Sequence, residues 1–272
     1  MWLLLKKINY ILYSPCGNDT GLVIGSDFTN LEKKEINDKI MDLHPNVEQV
    51  GFLSTSSYEL NMAGGEFCGN ATRSSAYYYL NGEEGSINIK VSGTSGHIKS
   101  GVDAQKNAWA ELPIYTGPDV VTTLSDDIKS VKLEGITHII LGIEASSKYL
   151  DIIYKDTEHI KNISKQIRKD FNIDDSAVGV IFQEEINNVL KIHPIVWVKS
   201  IYTCFYETAC GSGTAATSIV KSLEVANSIS LDLLQPSGKI ITAKTTFENN
   251  KVTGCIISGQ VFTDNVIRSL EI

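Results

Sequence analysis

The chain has 272 residues, 42% hydrophobic and 21% charged, so it is long enough for one large globular domain or two small ones. Its formal net charge of −8 argues against nucleic acid or an anionic membrane as the main partner, although a local basic patch is compatible with it. The five cysteines are odd in number and include no CxxC pair, which predicts reduced thiols in a cytoplasmic protein rather than disulfides or a zinc site.

The chain opens with MWLLLKK, in which a short apolar run precedes the charge, the reverse of a secretory signal. No stretch approaches the roughly 20 apolar residues of a membrane span, so we expect no membrane segment. Runs rich in β-branched and aromatic residues, bounded by turn formers, are typical of strands. They lie at 2–13, 47–53, 86–91, 107–114, 136–143, 178–183, 189–198, 228–234 and 238–244.

Four segments between these strands have the periodicity of helices. The first follows a cap at Thr29 or Asn30, and the third follows a cap at Asp156 or Thr157. The second and fourth begin at cysteines. The apolar faces are Ile36, Ile40 and Leu43 in the first helix, Ile160, Ile163, Ile167 and Phe171 in the third, and Ala216, Ile219, Val220 and Leu223 in the fourth.

The two cysteine-led helices belong to an internal repeat. Residues 68–72 (CGNAT) match residues 210–214 (CGSGT) at Cys, Gly and Thr, and a glutamate precedes each run, at Glu66 and Glu207. The turn-rich residues 116–119 (TGPD) lie near the middle of the chain. We therefore expect two similar halves, 1–117 with Cys68 and 118–260 with Cys210.

A cysteine at a helix start has a specific chemical use. Unpaired N–H groups and the helix dipole are expected to lower the thiol pKa, and the following glycine lets a ligand approach the backbone. Two such starts facing each other would hold one small carboxylate between them, with a thiol on each side of its α-carbon. One thiolate would then remove the α-proton while the other thiol donates one from the opposite side, which inverts a stereocentre without a cofactor.

A single buried cysteine is more often a small apolar packing residue, and we interpret Cys16, Cys204 and Cys255 in this way. The duplicated context indicates a function for the pair Cys68 and Cys210. No further ligands occur at regular spacing, so we expect no metal, and no nucleotide-binding glycine motif is present.

Residues 66–73 (EFCGNATR) and 207–214 (ETACGSGT) resemble the paired signatures of the diaminopimelate epimerase superfamily, whose members are cofactor-independent two-thiol racemases and epimerases. The run 17–19 (GND) is similar to a substrate-contacting element of that family, and 235–238 (QPSG) resembles its late turn. The resemblance implies an α/β fold of two pseudo-symmetric halves, each a mixed curled sheet around a central helix. The active site would lie in the cleft between them, and residues 261–272 would return to the first half.

The same positions, with 48–53 (EQVGFL), resemble a narrower group, the histidine racemases. The arginine that diaminopimelate epimerases carry before the second cysteine is absent from 201–207 (IYTCFYE), so nothing there would clamp a second carboxylate. We therefore expect a racemase that acts on histidine. A diaminopimelate epimerase, a racemase of broad specificity and an amino-acid-binding protein that retains the cleft stay open as alternatives.

The expected catalytic residues are Cys68 and Cys210, with no cofactor and a small amino acid as substrate. His138 would lie beside a catalytic thiol if it follows the family pattern, and a buried core histidine is an equal interpretation. Relatives in the superfamily are often dimers, which leaves a homodimer open. The expected substrate-binding residues are Asn18, Glu48, Gly69, Asn70, Glu207, Gly211 and Ser212.

Overall fold

The computed structural model describes residues 6–115 and 120–272. The predicted boundary at 116–119 and residues 1–5 of the first predicted strand lie outside these ranges. The strands are Lys7–Ser14 (β1), Asp19–Ile24 (β2), Val47–Leu53 (β3), Glu59–Met62 (β4), Gly85–Val91 (β5), His97–Val102 (β6), Asn107–Glu111 (β7), Val121–Ser125 (β8), Ile128–Leu133 (β9), Ile136–Leu141 (β10), Ala177–Ile186 (β11), Val189–Val198 (β12), Thr203–Tyr206 (β13), Ile229–Leu234 (β14), Ile240–Glu248 (β15), Lys251–Gln260 (β16), Phe262–Thr263 (β17) and Arg268–Glu271 (β18).

The helices are Asn30–Leu43 (α1), Gly69–Tyr79 (α2), Ile143–Ser147 (α3), Leu150–Lys155 (α4), Thr157–Asp170 (α5) and Gly211–Val225 (α6). The four predicted helices are confirmed as α1, α2, α5 and α6, and each of the nine predicted strands overlaps an observed one. The short helices α3 and α4 were not predicted, because five or six residues are too few to show a helical period.

The strands join into one large mixed sheet. Most neighbouring pairs are antiparallel, but β2 with β3, β4 with β5, β10 with β11, and β12 with β14 run parallel. Long-range pairings connect distant parts of the chain, since β17 and β18 pair with β1, and β16 pairs with β7. The fold is therefore a mixed α/β fold in which segments far apart in sequence share one sheet.

Helices α2 and α6 are buried on nearly all sides. Most of their buried positions are Ala, Ser, Thr or Gly, and Ala71, Ala76, Ala215 and Ala216 are fully buried in the main core. A helix with small residues around its circumference can pack against strands on several faces at once. The two helices also contact each other.

The other two long helices cover smaller cores. In α1, Thr29 and Glu32 form a capping box, and Ile36 and Ile40 pack against β1 and β3. In α5, the Asp156 carboxylate caps the helix by accepting a hydrogen bond from the backbone N–H of His159 at 2.9 Å. Both caps are among the alternatives predicted from the sequence. None of the helices in the described ranges is both long and apolar enough to cross a membrane.

Candidate active site

The helices α2 and α6 begin in the same way. Cys68 is the N-cap of α2 and its Sγ accepts a hydrogen bond from the backbone N–H of Ala71, while Cys210 caps α6 and accepts one from Gly213. The threonine four residues after each cysteine donates its hydroxyl to the cysteine carbonyl at 2.7 Å. The repeated spacing of Cys, Gly and Thr therefore encodes one local structure, formed twice.

The two helix starts meet directly. The side-chain amide of Asn70 donates to the Ala209 carbonyl at 3.1 Å, and its Oδ1 accepts from the buried guanidinium of Arg73 at 2.9 Å. A Cβ added to Gly211 would lie 2.6 Å from Cδ1 of Ile257 and 2.9 Å from Oδ1 of Asn70. Glycine is thus required here for close approach of the two helices. Because the Asn70 side chain is occupied by protein partners, its backbone N–H is the group it can offer to a ligand.

One cleft contains the two thiols and all seven predicted binding residues. Apolar side chains from β12, β13 and the neighbouring loops form part of its wall, and its described lining includes no lysine or arginine. The lining residues are Asn18, Asn37, Met41, Glu48, Gln49, Val50, Ala63, Glu66, Phe67, Cys68, Gly69, Asn70, Ile136, Val196, Val198, Ile201, Thr203, Phe205, Glu207, Cys210, Gly211 and Ser212.

The Cys68 thiol is held by a residue to which the sequence analysis gave no role. Its Sγ donates to Oε1 of Gln49 at 2.8 Å, and Nε2 of Gln49 donates to the Thr20 hydroxyl at 2.8 Å. Thr20 in turn donates to the carbonyl of Asn18. A strand glutamine carries no local signal of such a role, because the contact joins β3 to a helix start 19 residues away.

The Cys210 thiol has different surroundings. The Sγ of Cys210 lies 3.6 Å from the hydroxyl of Ser212, and the backbone N–H of Cys210 donates to Oε1 of Gln235 at 3.0 Å. Glu207, three residues before Cys210, lines the same cleft. The second thiol is therefore next to a hydroxyl group, whereas the first donates to a neutral amide.

Three carboxyl groups share the cleft. Burial raises the pKa of Glu207 to about 8, and the negative charge of Glu48 adds to the effect. Burial likewise raises the pKa of Glu48 and of Glu66 to about 7. Crowded, desolvated carboxyls of this kind are shifted toward the pH at which proton transfer to and from a substrate is efficient.

The expectation that the helix starts lower the thiol pKa is wrong for this structure. Burial raises the pKa of Cys68 to about 12 and that of Cys210 well above its ordinary value. The helix N–H groups do act in the lowering direction, but desolvation outweighs them, and nearby glutamates, Glu207 above all, raise both thiols further. A positive charge brought into the cleft would act in the opposite direction.

Glu48 binds across the cleft to a neighbouring loop. Both of its carboxylate oxygens accept from the backbone N–H of Thr208 at 3.1 Å, and the Thr208 hydroxyl also donates to it. The same hydroxyl accepts from the backbone N–H of Asn18 at 2.6 Å. Thr208, which the sequence analysis did not single out, thus links two of the predicted binding residues.

Asn18 and His138 both bury polar atoms without partners, but in different places. The Oδ1 atom of Asn18 is buried at the cleft and accepts no hydrogen bond from the described residues. His138 lies fully buried on β10, outside the cleft lining, and neither ring nitrogen has a partner in the described part of the chain. Burial lowers its pKa to about 3, so the ring is neutral. The structure therefore places an oxygen atom that lacks a hydrogen-bond donor at the cleft, and it places the histidine in the core.

Residues 7–265 match the family described as the histidine racemase CntK N-terminal domain. A histidine racemase of Fusobacterium nucleatum is 30% identical over 224 residues, covering 78% of this chain and 80% of its own. A histidine racemase of Staphylococcus aureus is 27% identical and covers 95% and 96% of the two chains.

Solved structures share the fold. A hydroxyproline epimerase from Agrobacterium vitis superposes with a TM-score of 0.62 at 12% identity, over 99% of this chain and 93% of its own. A methylitaconate-Δ-isomerase superposes with a TM-score of 0.56 at 11% identity, over 98% and 96%. The family match spans nearly the whole chain and is not confined to the two cysteine motifs. The chain therefore belongs to the histidine racemase CntK N-terminal domain family, a family of isomerases.

Proposed function

We propose that this chain interconverts L- and D-histidine with Cys68 and Cys210 as the two bases and without a cofactor. The observation that carries the proposal is the pair of cysteine N-caps whose helix starts meet at one cleft. The relatives described as histidine racemases support the choice of substrate.

We also propose that the chain consists of two similar halves, 1–117 together with 261–272 and 118–260, each built around one cysteine-led helix. The matching hydrogen bonds at the two helix starts support the similarity. The pairing of β18 with β1 supports the assignment of 261–272 to the first half. The cleft would then lie between the halves.

The substrate carboxylate would bind at the two helix starts. The backbone N–H groups of Gly69, Asn70, Gly211 and Ser212 lie in the first turns, where no carbonyl of the same helix accepts from them. Two converging helix dipoles favour a negative charge there, and they favour it more as charge grows on the carboxylate during loss of the α-proton. This gives the transition state stronger stabilisation than the bound substrate.

The substrate ammonium would bind among the acceptors that line the cleft near the helix starts. Glu207 supplies a carboxylate, and the partnerless Oδ1 of Asn18 gains the donor that it lacks. An ammonium group there lowers the pKa of Glu207, Glu48 and both thiols by direct charge attraction. Substrate binding would thereby offset the desolvation that keeps the thiols protonated.

From a state with one thiolate and one thiol, the reaction balances without a further acid or base. One thiolate takes the α-proton and becomes a thiol, which leaves an electron pair on the α-carbon, delocalised into the carboxylate. The opposite thiol delivers its proton to the other face and becomes the thiolate. The two thiols have exchanged protonation states, so the next turnover from the product enantiomer can run in reverse.

The cleft chemistry favours a monocarboxylate substrate. The described lining carries three glutamates and no lysine or arginine, so the second carboxylate of a diamino diacid would meet no cation and several like charges. The imidazole of histidine would instead contact apolar and aromatic side chains such as Phe67 and Phe205, with a glutamate within reach of a ring N–H. Burying an unpaired carboxylate costs far more than burying a neutral ring.

Proton NMR in D2O tests the proposal. Reduced protein should remove the α-proton signal of L-histidine and of D-histidine, but not that of LL-diaminopimelate or of a panel of other amino acids. Cys68→Ala and Cys210→Ala should each lower racemisation by about 10²–10⁴-fold, the range for loss of one acid–base group. Cys204→Ala removes a thiol outside the cleft and serves as the matched control.

Each outcome bears on a separate part of the proposal. Full racemase activity in either cleft variant, with native circular dichroism, would rule out the two-base scheme. Exchange confined to diaminopimelate would overturn the substrate while leaving the mechanism intact. Histidine binding without α-proton exchange would identify a binding protein.

A further inference from the structure

A second, basic groove lies on the far side of the strands that wall the catalytic cleft. Along β12 and β13 the side chains alternate, so Val196, Val198 and Phe205 line the cleft. Trp197 and Cys204, which pair across the two strands, line the groove behind it. The groove has a volume of about 880 Å3, and its other wall is the helix α5.

The groove concentrates positive charge in a chain whose net charge is −8. Lys161, Lys165, Arg168 and Lys169 line it, and their spacing along α5 places them on one side of the helix. Two lining carboxylates oppose them, and both are already paired: Glu158 with Lys161 at 2.6 Å, and Asp174 with Lys199 at 2.7 Å. The lining thus keeps an excess of cations.

Arg168 is the central feature of this groove. Its side chain is 7% exposed, and its Cζ lies 4.1 Å from the centroid of the Trp197 ring. The Nε atom is buried and has no hydrogen-bond partner among the residues that the structure describes. The Nε of the buried Arg73 also lacks a partner, but its two terminal nitrogens donate to Pro15, Asn70 and Gly259, whereas Arg168 makes no side-chain hydrogen bond within the described residues. The guanidinium is thus stacked on Trp197, and its two terminal nitrogens, which are not among the buried atoms without partners, can donate to an anion that binds in the groove.

We propose that this groove binds a phosphate group, either free or carried by a small ester. A phosphate dianion supplies the acceptors that the planar fork of Arg168 lacks, and the flexible lysines beside it neutralise the second charge. Tyr202, 86% exposed at the turn between β12 and β13, offers a ring on which an aromatic part of an ester can stack. Nothing in the proposed racemisation uses this groove, so the two proposals stand or fall separately.

Isothermal titration calorimetry of the full chain at low ionic strength tests the site with inorganic phosphate, adenosine 5′-monophosphate and adenosine. Phosphate and the monophosphate should bind saturably at one site, while adenosine should not. Arg168→Gln should weaken binding at least tenfold. Lys165→Ala/Lys169→Ala changes two exposed side chains, so it should weaken binding without affecting folding. Its matched control is Lys34→Ala/Lys39→Ala on α1, which alters the net charge equally and should leave binding unchanged.

Comparison of the three titrated compounds also distinguishes free phosphate from a phosphate ester. Tighter binding of the monophosphate than of inorganic phosphate would assign the groove to an ester, and equal binding would assign it to free phosphate. Absence of saturable binding by both, or binding that persists unchanged in the Arg168 and double-lysine variants, would overturn the proposal.

Discussion

The Sγ atom of Cys68 lies 2.8 Å from Oε1 of Gln49, whereas the Sγ of Cys210 lies 3.6 Å from the hydroxyl of Ser212. The backbone frame of the two helix starts is repeated, but the groups that face the thiols are not. The two thiols therefore differ chemically, and we expect the forward and reverse reactions to respond differently to changes on the two sides.

Replacing Gln49 should remove the hydrogen bond that the Cys68 thiol donates to it. Gln49→Met keeps the side-chain length but removes the acceptor, and the lost hydrogen bond is worth about 1 kcal/mol. Since that bond stabilises the protonated thiol, its loss should lower the pKa of Cys68 by less than one unit and leave the sulfur less well positioned. Alkylation of Cys68 by iodoacetamide as a function of pH, read by mass spectrometry, measures the shift. Gln166→Met on the exposed side of α5 is the control, and an unchanged alkylation profile would contradict the role of Gln49.

The raised carboxyl pKa values make stability depend on pH. The folded-state pKa of Glu207 is about 8, above the ordinary value of 4.5, so between these pH values the folded protein holds a proton that the unfolded chain releases. This contribution is fully present below pH 4.5 and is lost as the pH rises through 8. The free energy of unfolding should fall over that interval, by at most about 1.4 kcal/mol per pH unit per group.

Urea unfolding at pH 5.5 and pH 8 tests this linkage. Glu207→Gln carries a neutral amide at both pH values, so its stability should fall less between them than that of the unchanged protein. Glu248→Gln, an exposed glutamate at the end of β15, should show the original pH dependence. An equal loss of stability in the Glu207 variant and the unchanged protein would show that Glu207 is not protonated in the fold.

His138 should be replaceable by an apolar residue at a gain in stability. Both ring nitrogens are buried without a partner, and leaving such groups unpaired costs about 1–3 kcal/mol. His138→Leu should therefore raise the free energy of unfolding while racemase activity is retained. Thermal and urea unfolding measure the first effect, and the NMR exchange assay measures the second. A large loss of activity in a stably folded variant would instead assign His138 a part in the reaction.

The contact between the helix starts should tolerate a methyl group only if space is made for it. Gly211→Ala would place Cβ 2.6 Å from Cδ1 of Ile257, and overpacking of this kind costs about 1–3 kcal/mol. Ile257→Val removes that carbon and alone costs about 0.5–1.5 kcal/mol. The double variant should be more stable than the sum of the single effects predicts. Additive losses would place the strain elsewhere, such as at Asn70.

The helices and their caps were predictable because their signals are local. Thr29, Asp156 and the two cysteines each stand within a few residues of the group they cap. The long strands were predictable from β-branched runs, but β6 and β16 were missed because lysines and glycines interrupt their patterns.

The residues of the cleft were predictable where sequence spacing repeated, or, for Asn18 and Glu48, where a short run resembled the family. The glycines and cysteines of the two helix starts were found through the internal repeat. Gln49 and Thr208 were missed because their partners lie 19 and 160 residues away, and no local pattern encodes such contacts. The direction of the thiol pKa shift was missed for a related reason, since desolvation depends on the whole fold and the helix dipole on one turn.

The pairing of β1 with β18 has a consequence for how the protein folds during synthesis. Lys7 to Tyr10 pair with Arg268 to Glu271, so the first and last strands of the described chain lie next to each other. Contacts of such high sequence separation form slowly, because a very long loop must close before they contribute stability. During synthesis β1 cannot acquire this neighbour until the partner strand has left the ribosome. We expect refolding from urea to be slow, and nascent chains that end before residue 268 to depend on chaperones for protection of the unpaired β1 edge.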